Sequence, residues 1–196
     1  MGRCVEFPIM KLHRLLLIPA LLTFALLALV SLPAPAYADV PLFAQSDLLT
    51  AIDRNDVSAA KAALMAKANP NVLASGGKTA LMLAAEKANP SLVALLIDHR
   101  ADINRADDLG NNALIYAAGA GDTASIDALL AAGADVNASN RQGLTALMSA
   151  ARTGQPDAVS HLLKAGAKKE QSDYSGRTAL DWAADSRNRA ILSMLK

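Results

Sequence analysis

The sequence predicts an all-α solenoid of about five helix-turn-helix units joined by short β-turn or hairpin connections. Three observations carry this. Apolar, alanine and glycine positions recur with a period of 33 residues. Each period holds two short apolar segments with helical spacing. The composition, 53% hydrophobic and 19% charged, gives enough apolar surface to bury and excludes a disordered chain. Other classes fall away on simple grounds. A net charge of +1 leaves no basic footprint for nucleic acid. One Cys excludes a disulfide framework and a Cys-based zinc site.

Residues 1–38 read as a targeting segment and stand apart from the fold. Lys11 and Arg14 form a basic start, and Met10 opens a compact alternative beginning. Leu15 to Leu32 is an uncharged apolar run, broken by Pro33 and Pro35. Ala36-Tyr37-Ala38 matches the small-x-small rule of signal peptidase, so cleavage after Ala38 is expected, with Asp39 as the new first residue. A cut after Ala36, leaving Tyr37 first, is the second choice. This pattern resembles a bacterial Sec signal peptide and implies a periplasmic or secreted protein. An uncleaved membrane anchor is the alternative. Cleavage removes Arg3, Lys11, Arg14, Glu6 and Cys4, which moves the net charge from +1 to −1 and leaves no Cys.

From residue 39 onward the repeat takes over. Leu48, Leu81, Leu114, Leu147 and Leu180 form one comb. Gly77, Gly110, Gly143 and Gly176 form a second, Ala84, Ala117, Ala150 and Ala183 a third, and Leu96, Leu129, Leu162 and Leu195 a fourth. Each unit opens with a glycine turn. A first helix follows over Thr79–Ala85, Asn112–Ala118, Thr145–Ala151 or Thr178–Ala184, and its alanines permit close helix approach. A break comes next. Asn89 and Asp122 are expected helix N-caps, with Pro90 and Pro156 in the first helical turn. The second helix carries stripes such as Val93, Leu96 and Ile97, or Ile126, Leu129 and Leu130. Gly133 and Gly166 sit where a helix end requires positive φ. The units divide as 39–73, 74–106, 107–139, 140–172 and 173–196. The first lacks the turn glycine and the last ends in its second helix, so both read as caps over an inner array.

These residues resemble the ankyrin repeat. The family's G-x-T-P-L-H-x-A-A core stands as Gly143-Leu144-Thr145-Ala146-Leu147-Met148-Ser149-Ala150-Ala151. Its L-L-x-x-G-A-D-V-N-A ending stands nearly unchanged from Leu129 to Ala138. The departures are regular: Ala80, Ala113, Ala146 and Ala179 replace the Pro, and Met82, Ile115, Met148 and Asp181 replace the His. The resemblance implies a protein-binding array that uses its turn tips and the concave face of its first helices.

Chemistry-bearing patterns are sparse. Gly77-Lys78-Thr79 lacks the upstream glycine of a phosphate-binding loop, since Val72 stands there, and Lys78 reads as a solvent position. His99 and His161 fall in different repeat slots, so neither a metal site nor a nucleophile–histidine site is expected. Asp107 and Asp108 read as solvated turn acids. Tyr116 and Trp182 share one first-helix slot and read as core packing. No catalytic residue, metal, cofactor or nucleic acid is expected.

What remains is surface. Leu109, Leu144 and Tyr174 lie on three successive tips and read as an exposed apolar row, flanked by Arg141 and Arg177. With Asp108, Asn111 and Gln142 these form the expected partner-binding set. The concave charges Glu86, Lys87, Arg152 and Asp185 are the second candidate surface. The function this supports is a non-catalytic module, monomeric, acting as adaptor, accessory or inhibitory factor for another exported protein. A membrane-tethered adaptor and a secreted effector are the alternatives, and an enzyme is the least favoured.

Overall fold

A computed structural model of the chain describes residues 42–186 and 188–196. The expected signal segment, with Ala36 and Ala38, lies outside the described residues. In chain order the helices are α1 (Leu42–Asp53), α2 (Val57–Met65), α3 (Ala80–Glu86), α4 (Pro90–Asp98), α5 (Ala113–Ala120), α6 (Thr123–Ala131), α7 (Ala146–Thr153), α8 (Pro156–Lys164), α9 (Ala179–Ser186) and α10 (Arg189–Leu195). They pair within each repeat and stack in two layers. The first helices α1, α3, α5, α7 and α9 form one layer, and the second helices α2, α4, α6, α8 and α10 form the other. Isolated antiparallel bridges join Leu73 to Thr79, Ser139 to Thr145 and Ser172 to Thr178, so the connections are hairpin-like without extended strands.

Each helix start follows from its sequence. Asn89 Oδ1 accepts the Leu92 amide at 3.0 Å, and Asp122 Oδ1 accepts that of Ser125 at 3.2 Å. Thr79, Asn112 and Thr145 cap the inner first helices in the same way. Pro90 and Pro156 stand in the first turn of α4 and α8, where no amide donor is lost. At the other end of the second helices, Gly133 and Gly166 adopt φ of 92° and 90°. Lys67 and Arg100 fill the same slot in the first two repeats with φ of 64° and 63°, the less favourable arrangement for a side-chain-bearing residue.

The combs are the core. Leu48, Leu81, Leu114 and Leu147 are buried in the first-helix layer, and Leu96, Leu129 and Leu162 in the second. The buried alanines Ala84, Ala117, Ala150 and Ala183 let the two layers approach closely. A polar ladder staples the repeats beyond this core. Asn71, Asn104 and Asn137 each accept an amide of the next repeat, from Asp102 at 2.7 Å, Asp135 at 3.2 Å and Lys168 at 2.9 Å. Asn104 and Asn137 also donate to the carbonyls of Gly133 and Gly166. Asn137 belongs to an Asn-x-Ser sequence, and this ladder accounts for it structurally.

Candidate partner-binding surface

The turn tips form a hydrogen-bonded ribbon. Asp108 N donates to Gly76 O at 3.0 Å, Arg141 N to Leu109 O at 3.1 Å, and Tyr174 N to Gln142 O at 3.0 Å. Each bond joins one tip to the next, so side chains along the ribbon are held in fixed register. This explains the glycine comb. At Gly110 a Cβ would lie 2.7 Å from Arg141 N, where the following tip crosses.

Inside each turn an Asx residue organises the backbone. Asp107 Oδ1 accepts the amides of Leu109 and Asn111, at 2.9 and 2.8 Å. Asn140 Oδ1 accepts those of Gln142 and Leu144, both at 2.9 Å. Asp173 Oδ1 accepts those of Ser175 and Arg177, at 2.9 and 3.0 Å. Where the residue is Asp, its second oxygen takes an aromatic donor from the first helix. Tyr116 Oη donates to Asp107 Oδ2 at 2.6 Å, and Trp182 Nε1 to Asp173 Oδ2 at 3.0 Å. Asp107 is therefore buried, contrary to its reading as a solvated acid. Tyr116 and Trp182 are half-buried and pack against the core, with their polar ends turned to these carboxylates.

These contacts shift the acids. Burial pushes Asp107 up, but the Tyr116 hydroxyl and the amides of Asn111 and Leu109 outweigh it and hold the carboxyl below its ordinary value. The Ser175 hydroxyl does most to hold Asp173 down. A folded-state pKa below the unfolded one gives stability that is present above the ordinary carboxylate value and lost as pH falls through the folded one. The protein should thus lose stability below about pH 4. Asp107→Asn should flatten that acid limb by lowering stability at pH 7, because the charged acceptor of the Tyr116 hydroxyl and of the Leu109 and Asn111 amides is lost. Urea midpoints against pH check this.

The predicted binding residues divide. Leu109 and Tyr174 are exposed, at 64% and 80%, and Arg141, Gln142 and Asp108 are exposed beside them. Leu144 is only 5% exposed, so the expected row of three apolar tips is a pair. The reason is its slot. Leu144 follows the turn glycine, as Lys78, Asn111 and Arg177 do, and that position turns toward the first helices. Arg177 belongs to this inner set rather than to the tip. Its guanidinium lies 3.8 Å from the centre of the Trp182 ring and pairs with Asp185. Lys78 is likewise no free solvent residue: Nζ lies 4.7 Å from the Tyr116 ring centre and 2.8 Å from Glu86 Oε2. Burial lowers its affinity for a proton, and Glu86 more than restores it.

Between the tips and the inner helices of the third and fourth repeats lies a groove of about 660 Å³. Leu109, Asn111, Arg141, Gln142, Tyr116 and Arg152 are among the residues lining it, and Ser149 gives it depth. Ser149 occupies the slot that Tyr116 and Trp182 fill in the neighbouring repeats, and no aromatic ring closes the groove there. Sequence reasoning did not foresee this gap, although the alternation Tyr116, Ser149, Trp182 was its visible sign.

Stacked helix pairs, an ordered ribbon of tips and a groove beside it define a helical-repeat binding array. A family model described as ankyrin repeats (3 copies) matches residues 48–140 and 120–196. The chain belongs to the ankyrin-repeat family, whose members mediate binding to other proteins, and the protein is an interaction module of that kind. A search of curated proteins finds no match to the chain.

Proposed function

We propose that the protein is a non-catalytic, monomeric factor of the periplasm that holds or inhibits another exported protein. The observation that carries the binding reading is the pair Leu109 and Tyr174. Both are large, exposed and apolar, and both sit on tips whose backbone is fixed by inter-tip hydrogen bonds. A rigid platform lowers the ordering cost of association. The non-catalytic reading rests on where the two described histidines lie. His99 ends α4, and His161 on α8 bonds Asp127 at 2.8 Å, so both stand in the second-helix layer away from the groove. The compartment rests on the sequence pattern that ends at Ala38.

Two measurements test this. Protein recovered from the exported fraction should begin at Asp39 by mass spectrometry, whereas an intact 20.4 kDa chain in the membrane fraction would favour the anchored alternative. Leu109→Ala with Tyr174→Ala should weaken binding of the partner cross-linked in cells by roughly 2 kcal/mol, the scale of central interface residues. Unfolding should be nearly unchanged, because neither side chain is buried. Undiminished affinity would move the site off the tips.

A further inference from the structure

The inner face carries charged side chains at the ends of its first helices and beside the groove. Most are neutralised within the protein. Glu86 pairs with Lys78, Lys87 with Asp53, and Asp185 with Arg177. Arg152 and Arg141 remain. Among the described residues neither guanidinium has a carboxylate partner, and both line the same groove. Arg152 is held in place by the Trp182 ring, with its guanidinium carbon 5.6 Å from the ring centre. Arg141 is fixed at its backbone by Leu109 O. Two acids share the lining: Glu86, which is paired with Lys78, and Asp108, whose Oδ1 lies over Gly77, 2.7 Å from where a Cβ on that glycine would stand, so two unpaired arginines face one unpaired acid. The Ser149 side chain adds a hydroxyl to the same groove.

We propose that this groove binds an extended acidic segment of the protein partner, with an Asp or Glu carboxylate received between Arg141 and Arg152. An apolar neighbour of that acid would lie against Leu109 and Tyr116. Arginine suits this role because its planar fork gives a carboxylate two parallel donors and keeps its charge at every physiological pH. The inference deepens the binding reading above and rests on it. It adds the chemistry of the partner: acidic at one position, apolar at the next, and extended enough to lie along the ribbon.

The probe is an acetylated peptide of alternating glutamate and leucine, with the same peptide carrying glutamine in place of glutamate as its control. The readout is the side-chain Nε resonance of each arginine during titration of the protein as recovered from cells. The glutamate peptide should shift Arg141 and Arg152 and leave Arg100 and Arg105, outside the groove, unmoved. The glutamine peptide should bind about 10-fold more weakly or worse, the usual difference for a charge-assisted contact. Arg141→Ala with Arg152→Ala should abolish the preference. Equal shifts from both peptides, equal shifts at all four arginines, or no shift at Arg141 and Arg152 up to millimolar peptide would each overturn the proposal. A photo-cross-linker at position 109 separates this from the parent reading. If it captures the cellular partner as well with the double arginine variant as without, the acidic-segment inference fails and partner binding stands. If the peptide result holds but no protein is captured at the tips, it is the parent reading that fails.

Discussion

Leu147→Ala should lower the stability of the fold by about 2–5 kcal/mol, the range for removing a buried leucine that its surroundings cannot refill. Leu147 is 1% exposed, on α7, with α5 packed on one side and α9 on the other. Neither neighbour can collapse into the space without breaking register, because the tips and the asparagine ladder hold the repeats at a fixed spacing. A repeat array is stabilised by units and by the interfaces between them. This cavity would open at two interfaces together, so the array should also lose cooperativity. Urea denaturation followed by circular dichroism reads both effects. Leu180→Ala, in the last repeat, should cost less. Its side chain is only partly buried, and among the described residues no first helix packs on the outer side of α9. Leu109→Ala, on a tip, should fall within about 0.5 kcal/mol of the parent protein. Equal costs for the three variants would contradict the stacking.

The same contrast shows how far the sequence carries. Periodicity placed the core, because a residue buried between identical neighbours must recur at the period of the repeat. The leucine and alanine combs, the caps Asn89 and Asp122 and the positive-φ glycines Gly133 and Gly166 are all of this type. The binding surface is not, because it is made of the positions where the repeats differ. Leu109, Leu144 and Tyr174 read as one row when grouped by turn. Counted from the turn glycine, they stand one before, one after and two before. Those are three different slots, and only the slot after the glycine faces inward. That count was available in the sequence and accounts for the burial of Leu144. The pairings of Lys78 with Glu86 and Arg177 with Asp185 needed coordinates. Each joins the slot after a turn glycine to the first-helix end eight residues on. The two pairs stand three periods apart, and the repeats between them carry Asn111 with Gly119 and Leu144 with Arg152 in those slots, which interrupts the pattern. The burial of Asp107 is similar in kind, since it depends on a hydroxyl that Tyr116 brings from nine residues away.

Gly110→Ala should cost roughly 2–4 kcal/mol, more than a turn glycine ordinarily would. Two effects add. The backbone there has φ of 83°, a region in which a Cβ is strained by about 1–2 kcal/mol. The new methyl would also stand 2.7 Å from Arg141 N and 3.2 Å from the Asn140 carbonyl carbon. Both are backbone atoms of the next tip, so no side-chain rotation relieves the contact. Arg141 N is also the donor that ties this tip to Leu109 O at 3.1 Å. Relief must therefore come from spreading the two tips, which weakens the ribbon and moves Leu109 away from Arg141. Gly176→Ala isolates the first effect. It has nearly the same φ, 84°, but nothing within 4 Å of the added carbon. Its cost should stay near about 1 kcal/mol. The difference between the two variants measures how tightly successive tips are pressed together. If Gly110→Ala and Gly176→Ala destabilise equally, the tips do not form a rigid ribbon, and a partner would have to order them on binding. If Gly110→Ala costs the more, it should also weaken partner binding without touching any contacting side chain, because the platform that aligns Leu109 with Arg141 has been opened.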